Sequence, residues 1–258
     1  MKLYIREGRI IMRKIVGYIY SIYALLTFIL MMFLLFPFIV IASFFGKVKG
    51  GNMIYNICRF WADVVLFLWG ITHTNIFEAP KSNSHAVIFV FNHISYMDIP
   101  FMLKAFRKDP IRILGKAEMS KVPVFGYIYR KATVMVDRES DAGRTRSVHQ
   151  LKRILGKNIS VVMAPEGTFN MTHKPLKEFY NGAFKIAVET KTPIQPVLFL
   201  DAYDRLNYRS IFSLSPGKSR AVFLKEIIPG NNAALLKQEV YHKMETTLIS
   251  YKASWIKE

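Results

Sequence analysis

The sequence predicts an α/β fold, a mixed, largely parallel sheet flanked by helices and preceded by an N-terminal hydrophobic helical segment. Three observations carry this expectation. Residues 15–46 form a run of 32 without a charged side chain. Beyond about residue 75, short apolar runs alternate with helical patterns, the order from which parallel sheets are built. The 258 residues are 52% apolar, yet hold 36 Lys and Arg against 18 Asp and Glu, a formal charge of +18. So much apolar surface excludes a disordered chain. The single cysteine, Cys58, excludes an internal disulfide framework and a thiolate metal site. A basic, apolar chain points to an anionic interface, either a membrane or a nucleic acid.

The charge-free run favours the membrane. It is longer than the ~20 residues that span a bilayer core, with Lys2, Arg6, Arg9, Arg13 and Lys14 before it and Lys47 and Lys49 after it. It does not read as a cleaved signal, whose apolar region of ~7–15 residues ends at small residues; Phe36-Pro37-Phe38 stands there instead. Pro37, lacking an amide proton, is expected to kink or end a helix that starts near Ile15. Residues 53–71 differ in kind. They contain Arg59 and Asp63, four apart on one helical face and expected to pair. With Trp61 and Trp69 they are placed at the membrane interface. A tilted span, a re-entrant pair and a half-inserted hairpin all fit. Residues 1–74 thus read as a membrane-anchoring helical region, and residues 75–258 as the α/β domain. An isoelectric point near 9.9 also suits nucleic-acid binding, but the apolar run and the lack of a recognised motif speak against it.

Within the second part, strands are expected at residues 85–91, 111–114, 133–136, 160–164, 196–200 and 221–224, with helices over 144–155, 182–190 and 233–254. Such folds place ligands at the carboxyl ends of their strands. The first such end carries His93, with Asp98 five positions on. If the chain turns into a helix there, Asp98 reaches back to the imidazole, fixes its tautomer and leaves the other nitrogen to accept a proton. By spacing alone the pair reads equally well as a capped strand end. A second end carries Pro165-Glu166-Gly167-Thr168, where Gly167 permits close backbone approach and exposed amides can cradle an anion; alone it is a common turn. Lys116 and Arg138 follow two further strands, and Arg138 can bind a phosphate bidentately or pair with Asp137 or Glu139.

Taken in order, these segments are more specific. Asn92-His93-x-x-x-x-Asp98, Gly115-Lys116-x-Glu118-x-x-x-x-Pro123-x-x-Gly126, Val136-Asp137-Arg138 and Pro165-Glu166-Gly167-Thr168 resemble the motifs of the glycerolipid acyltransferases, and among them the bacterial 1-acyl-sn-glycerol-3-phosphate acyltransferases of the PlsC family. Gly182-Ala183-Phe184 and residues 193–197 look like the fourth block of that family, so the likeness runs from about residue 75 to 200. It implies that His93 is a general base oriented by Asp98, that Arg138 and Lys116 recognise an acceptor phosphate, and that Glu166, Gly167 and Thr168 contact the acceptor. It further implies an acyl carrier protein or coenzyme A thioester as donor, membrane lipids as surroundings, no cofactor or metal and no nucleic acid, and a place at the bacterial inner membrane with the site on the cytoplasmic face. One position departs from the pattern. The family usually has Arg after Glu-Gly-Thr, and here Phe169 stands in its place. Lys174 and Lys177 are the nearby substitute cations, and another lysolipid, such as a lyso-amino-acid lipid, is the alternative acceptor. A non-catalytic lipid-binding protein on the same fold has no need of the His93–Asp98 pair.

The expected reaction is direct attack of an acceptor hydroxyl on the thioester carbonyl, with His93 taking the proton. No Gly-x-Ser-x-Gly elbow is present and Cys58 lies in the membrane-associated half, so no acyl-enzyme is expected.

Overall fold

A computed structural model describes residues 2–80, 85–136 and 141–256, apart from the side chains of residues 2–11, 13, 141 and 144. Helix α1 (Lys2–Ser43) turns at Gly46–Gly50 into α2 (Gly51–Leu68), and β1 (Ile71–Phe77) follows directly. Then come β2 (Ile88–Phe91), α3 (Asp98–Ala105), β3 (Ile111–Lys116), α4 (Phe125–Ala132) and β4 (Thr133–Val136). The chain continues through α5 (Asp141–Leu155), β5 (Ser160–Met163), α6 (Gly182–Thr190), β6 (Ile194–Phe199), α7 (Ala202–Arg205), β7 (Gly217–Phe223) and α8 (Ala233–Ser250).

The described strands form one seven-stranded sheet in the order β1-β7-β6-β2-β5-β3-β4. All neighbours are parallel except β6 and β7, so the expected mixed, largely parallel sheet is present. Strands β2, β5 and β6 are buried along their whole length. Covered on both faces, they read as continuous apolar runs and not as alternating ones.

Three expectations about the N-terminal part are corrected. The helix continues through Pro37 to Ser43 instead of ending there, and it starts at Lys2 instead of near Ile15. A proline removes one helical hydrogen bond, and packing of α1 on α2 holds the helix across that gap: Ala24, Met31, Leu35, Ile39 and Ala42 form a buried stripe at helical spacing. Arg59 and Asp63 do not pair. Asp63 binds Lys104, in the last turn of α3, at 2.5 Å and also Arg107, just beyond that helix. Arg59 donates to Asn56 at 2.9 Å, to the Phe106 carbonyl at 3.0 Å and to the Asp109 carbonyl. Helix α2 presents this face to α3, whose cations and terminal carbonyls outcompete a partner on the same helix. Finally, residues 71–77 are a strand, which sequence reasoning missed; β1 pairs with β7 along seven residues.

The helical hairpin is locked to the sheet. Arg112, buried on β3, donates to the carbonyls of Lys47 and Val48 and to Asn52 at 2.9–3.2 Å, thereby satisfying carbonyls that the α1–α2 turn leaves open.

Candidate active site

Strand register brings the scattered motifs to one edge. Phe89 of β2 lies opposite Val162 of β5, Val162 opposite Ile113 of β3, and Ile113 opposite Thr133 of β4. Three residues further along each parallel strand, the same count reaches Asn92, Pro165, Lys116 and Val136. One more step reaches His93 and Glu166. At ~4.8 Å per strand, Lys116 stands about 10 Å to the side of β2.

Asn92 extends the sheet without being part of it. Its side chain accepts from the Phe199 amide at 2.8 Å and donates to the Phe199 carbonyl at 3.2 Å, so β2 stays zipped to β6 while the backbone turns. The next residue, His93, therefore emerges at the mouth of the sheet with 26% of its side chain exposed. Asp98 opens α3, where a carboxylate is favoured by the helix dipole, and it is fully buried. Its Oδ2 lies 2.8 Å from His93 Nδ1 and also accepts the amides of Ile94 and Ser95 at 2.9 and 3.1 Å. An oxygen that accepts from two amides calls for a third donor, so Nδ1 carries the hydrogen and Nε2 keeps its lone pair. No cationic side chain pairs with Asp98 among the described residues, so an imidazolium at His93 is the positive charge best placed to balance it.

Glu166 clasps the site from beneath. One oxygen accepts the His93 amide and the other the Lys177 amide, each at 2.8 Å, and the residue is 1% exposed. Burial pushes its carboxyl up to about 7, against the opposing pull of the two backbone hydrogen bonds, with a smaller upward push from Asp98. Gly167 takes φ +73°, a left-handed conformation open to glycine. Thr168 is exposed and accepts from Lys177 Nζ at 2.6 Å. Arg138, expected at the acceptor phosphate, lies outside the described residues, as do Asp137 and Glu139.

Sequence reasoning missed Asn170, and it singled out Phe169 without its ring contacts. The Asn170 amide donates to the His93 carbonyl at 2.7 Å, and the buried Asn170 side chain binds the Lys174 carbonyl and the Thr172 hydroxyl. An asparagine just after a glycine turn is the signal that could have found it, since its side chain readily closes a turn. The Phe169 ring lies edge-on at 4.4 Å from the His93 ring and 4.8 Å from that of Tyr96, while Phe91 flanks the imidazole at 5.7 Å.

Residues 70–200 match the family described as Acyltransferase. The chain belongs to that family. A 1-acyl-sn-glycerol-3-phosphate acyltransferase of Helicobacter pylori is 23% identical over 184 residues, 71% of this chain and 77% of its own. One from Cocos nucifera is 26% identical over 156 residues, 60% of this chain and 48% of its own. This acyltransferase thus spans about half the length of the plant relatives it matches. The crystal structure of the 1-acyl-sn-glycerophosphate (LPA) acyltransferase PlsC from Thermotoga maritima covers 93% of the chain, and the chain covers 100% of it, with a TM-score of 0.72 at 21% identity. That likeness is one of fold.

Proposed function

We propose that this acyltransferase moves a fatty acyl group from a thioester to the sn-2 hydroxyl of lysophosphatidic acid, giving phosphatidic acid, with His93 as general base and Asp98 as its orienting partner. The observation that carries the reading is the 2.8 Å contact between His93 Nδ1 and a buried carboxylate, which leaves Nε2 of the partly exposed imidazole to take a proton. A neutral imidazole held in this tautomer accepts a hydroxyl proton as a general base. The hydroxyl oxygen then attacks the thioester carbonyl, the thiolate leaves, and the imidazolium returns the proton to it. Ser95 is not a competing nucleophile, because it is fully buried and donates to the Leu206 carbonyl. Cys58 lies in α2, on the membrane-anchoring side.

In this reading residues 1–74 anchor the chain and residues 75–258 carry the chemistry. Lys116 and Arg138 are the residues assigned to the acceptor phosphate, Gly167 and Thr168 border the acceptor, and Glu166 shapes the site from below without touching substrate. The donor is an acyl carrier protein or coenzyme A thioester, drawn in by the basic surface. Helix α1, which over Lys14–Ser43 is long and apolar enough to cross a membrane, lies half-inserted in one leaflet with α2, at the inner membrane and on its cytoplasmic face. The aromatic residue at 169 favours a second reading, in which the acceptor is a lysolipid without a phosphate beside the hydroxyl, such as a lyso-amino-acid lipid.

Acyl transfer to purified lysolipids, separated by thin-layer chromatography, tests both readings. His93→Ala should lose 10²- to 10⁴-fold in turnover and still float with vesicles. Turnover like that of the wild type in this variant sinks the mechanism.

A further inference from the structure

Three features outside the proposed mechanism are candidates for a role. One is the cavity of about 550 Å³ between Lys14, Tyr18 and the loop holding Phe212. Another is the smaller polar cavity beside Arg59 and Lys108 at the opposite end of the sheet. The third is the Lys177 ammonium beside the Glu166–Thr168 turn, and the contacts around it carry an inference furthest.

We propose that Lys177 supplies a further charge that holds the acceptor's phosphate, beside the Lys116 and Arg138 of the reading above, while His93 takes the proton from its hydroxyl. This rests on the lysophosphatidic acid reading above. The first argument is placement. The Lys177 amide and the His93 amide bind the two oxygens of one carboxylate, that of Glu166, so the two backbones are one side-chain group apart. The second is direction. The Lys177 side chain turns back along the loop, and its ammonium reaches the Thr168 hydroxyl at 2.6 Å. Thr168 is exposed and adjoins Phe169, whose ring touches that of His93. The third is availability. An ammonium has three hydrogens to donate, and Thr168 takes one. Among the described residues no carboxylate lies within ion-pair distance of Lys177 Nζ, and Glu166 below is already engaged by backbone amides.

Phe169 closes the alternative. Its ring covers one flank of the imidazole and meets Tyr96 beyond it, an apolar wall against which a phosphate has no donors. On this loop the charge therefore comes from the Thr168–Lys177 side. In a glycerol acceptor the hydroxyl and the phosphate sit on neighbouring carbons, and a base and a cation held on one turn suit that separation. Lys174 is not equivalent. Its carbonyl is tied to Asn170, but its exposed ammonium makes no hydrogen bond to the Glu166–Thr168 turn among the described residues.

The test uses the full chain in detergent micelles with one thioester donor at saturation and two acceptors, lysophosphatidic acid and the phosphate-free 1-acylglycerol. Lys177→Gln keeps the backbone amide on Glu166 and removes only the charge. It should raise KM for lysophosphatidic acid roughly 10- to 100-fold, the range set by a charged hydrogen bond, and leave kcat/KM for 1-acylglycerol unchanged. Lys177→Arg should recover most of the loss, and Lys174→Gln should match the wild type. An equal fall for both acceptors in Lys177→Gln, or an unaltered KM for lysophosphatidic acid, overturns the assignment. The wild type itself checks the underlying reading separately: if it acylates 1-acylglycerol and ignores lysophosphatidic acid, that reading falls and the phosphate role falls with it.

Discussion

His93 offers a single free atom because its others are engaged: its amide on Glu166, its carbonyl on Asn170, Nδ1 on Asp98, and its ring between Phe91 and Phe169. A group that must meet a substrate in one orientation gains from losing its rotamer freedom beforehand. Glu166 ties the His93 and Lys177 backbones together, and its burial bears on stability. Its carboxyl is raised from an ordinary 4.5 to about 7 by burial, so the folded protein binds a proton that the unfolded chain has already released. Its contribution to stability is full below pH 4.5 and is lost as pH climbs through 7. The difference is on the order of 3 kcal/mol. Glu166→Gln removes this titration and sets an amide N–H against one of the two backbone donors, at a cost of about 1–3 kcal/mol. Thermal melts of both proteins from pH 4.5 to 8 should show the wild type falling relative to the variant across that window; parallel curves refute the assignment.

At the scale of elements, packing distances set the positions of the ligand-bearing ends. A Cβ at Gly126 would overlap the Ser120 carbonyl, so α4 lies close to the turn that follows Lys116 because residue 126 has no side chain. Gly115 similarly leaves room for the Tyr129 hydroxyl. These two glycines let β3 and α4 close on each other, which keeps Lys116 at the edge. Gly126→Ala should cost about 1–3 kcal/mol through overpacking of backbone on backbone. At Gly182 nothing lies within 4 Å of an added Cβ, and there Ala should be neutral or mildly stabilising. A chemical unfolding curve for each variant checks the contrast; equal midpoints would show that the α4 contact yields freely.

In the whole molecule, a helix of bilayer length packs against an α/β domain. Helix α1 is fastened along its side and not only at its end. Tyr20 bonds the Trp69 carbonyl at 2.5 Å, Trp69 bonds Thr27 at 2.8 Å, the Ser43 and Tyr127 hydroxyls meet at 2.7 Å, and the Tyr18 ring packs against Phe212. Its other face, with Leu30, Phe33 and Phe38, is exposed, as is Phe67 of α2 at 82%. A helix attached in this way crosses a bilayer only if it detaches from the domain, whereas lying in one leaflet buries the exposed face and keeps every contact. Labelling in sealed vesicles, on a Cys58→Ala background, distinguishes the two arrangements. Cysteines at Lys14 and Lys47 should react with an impermeant maleimide from the same side, and reaction from opposite sides would establish a crossing helix.

The α/β class, the apolar N-terminal segment and the order of the motifs were legible in the sequence, because periodicity and composition are local and each motif lies within a few residues of a strand end. The reach of Asp98 back to His93 was legible for the same reason, being a contact over five positions. What the tertiary structure alone decided are the long-range partners. Glu166, 73 residues from His93, became a clasp through strand register, since β2 and β5 are neighbours only in space. Asp63 found its cations at and just beyond the end of α3, and Arg112 found its carbonyls in the α1–α2 turn. Lys177 and Lys174 read alike in the sequence, and only folding turned the Lys177 ammonium onto Thr168. A residue's chemistry is written in its side chain, but its partner is set by which backbones pack side by side.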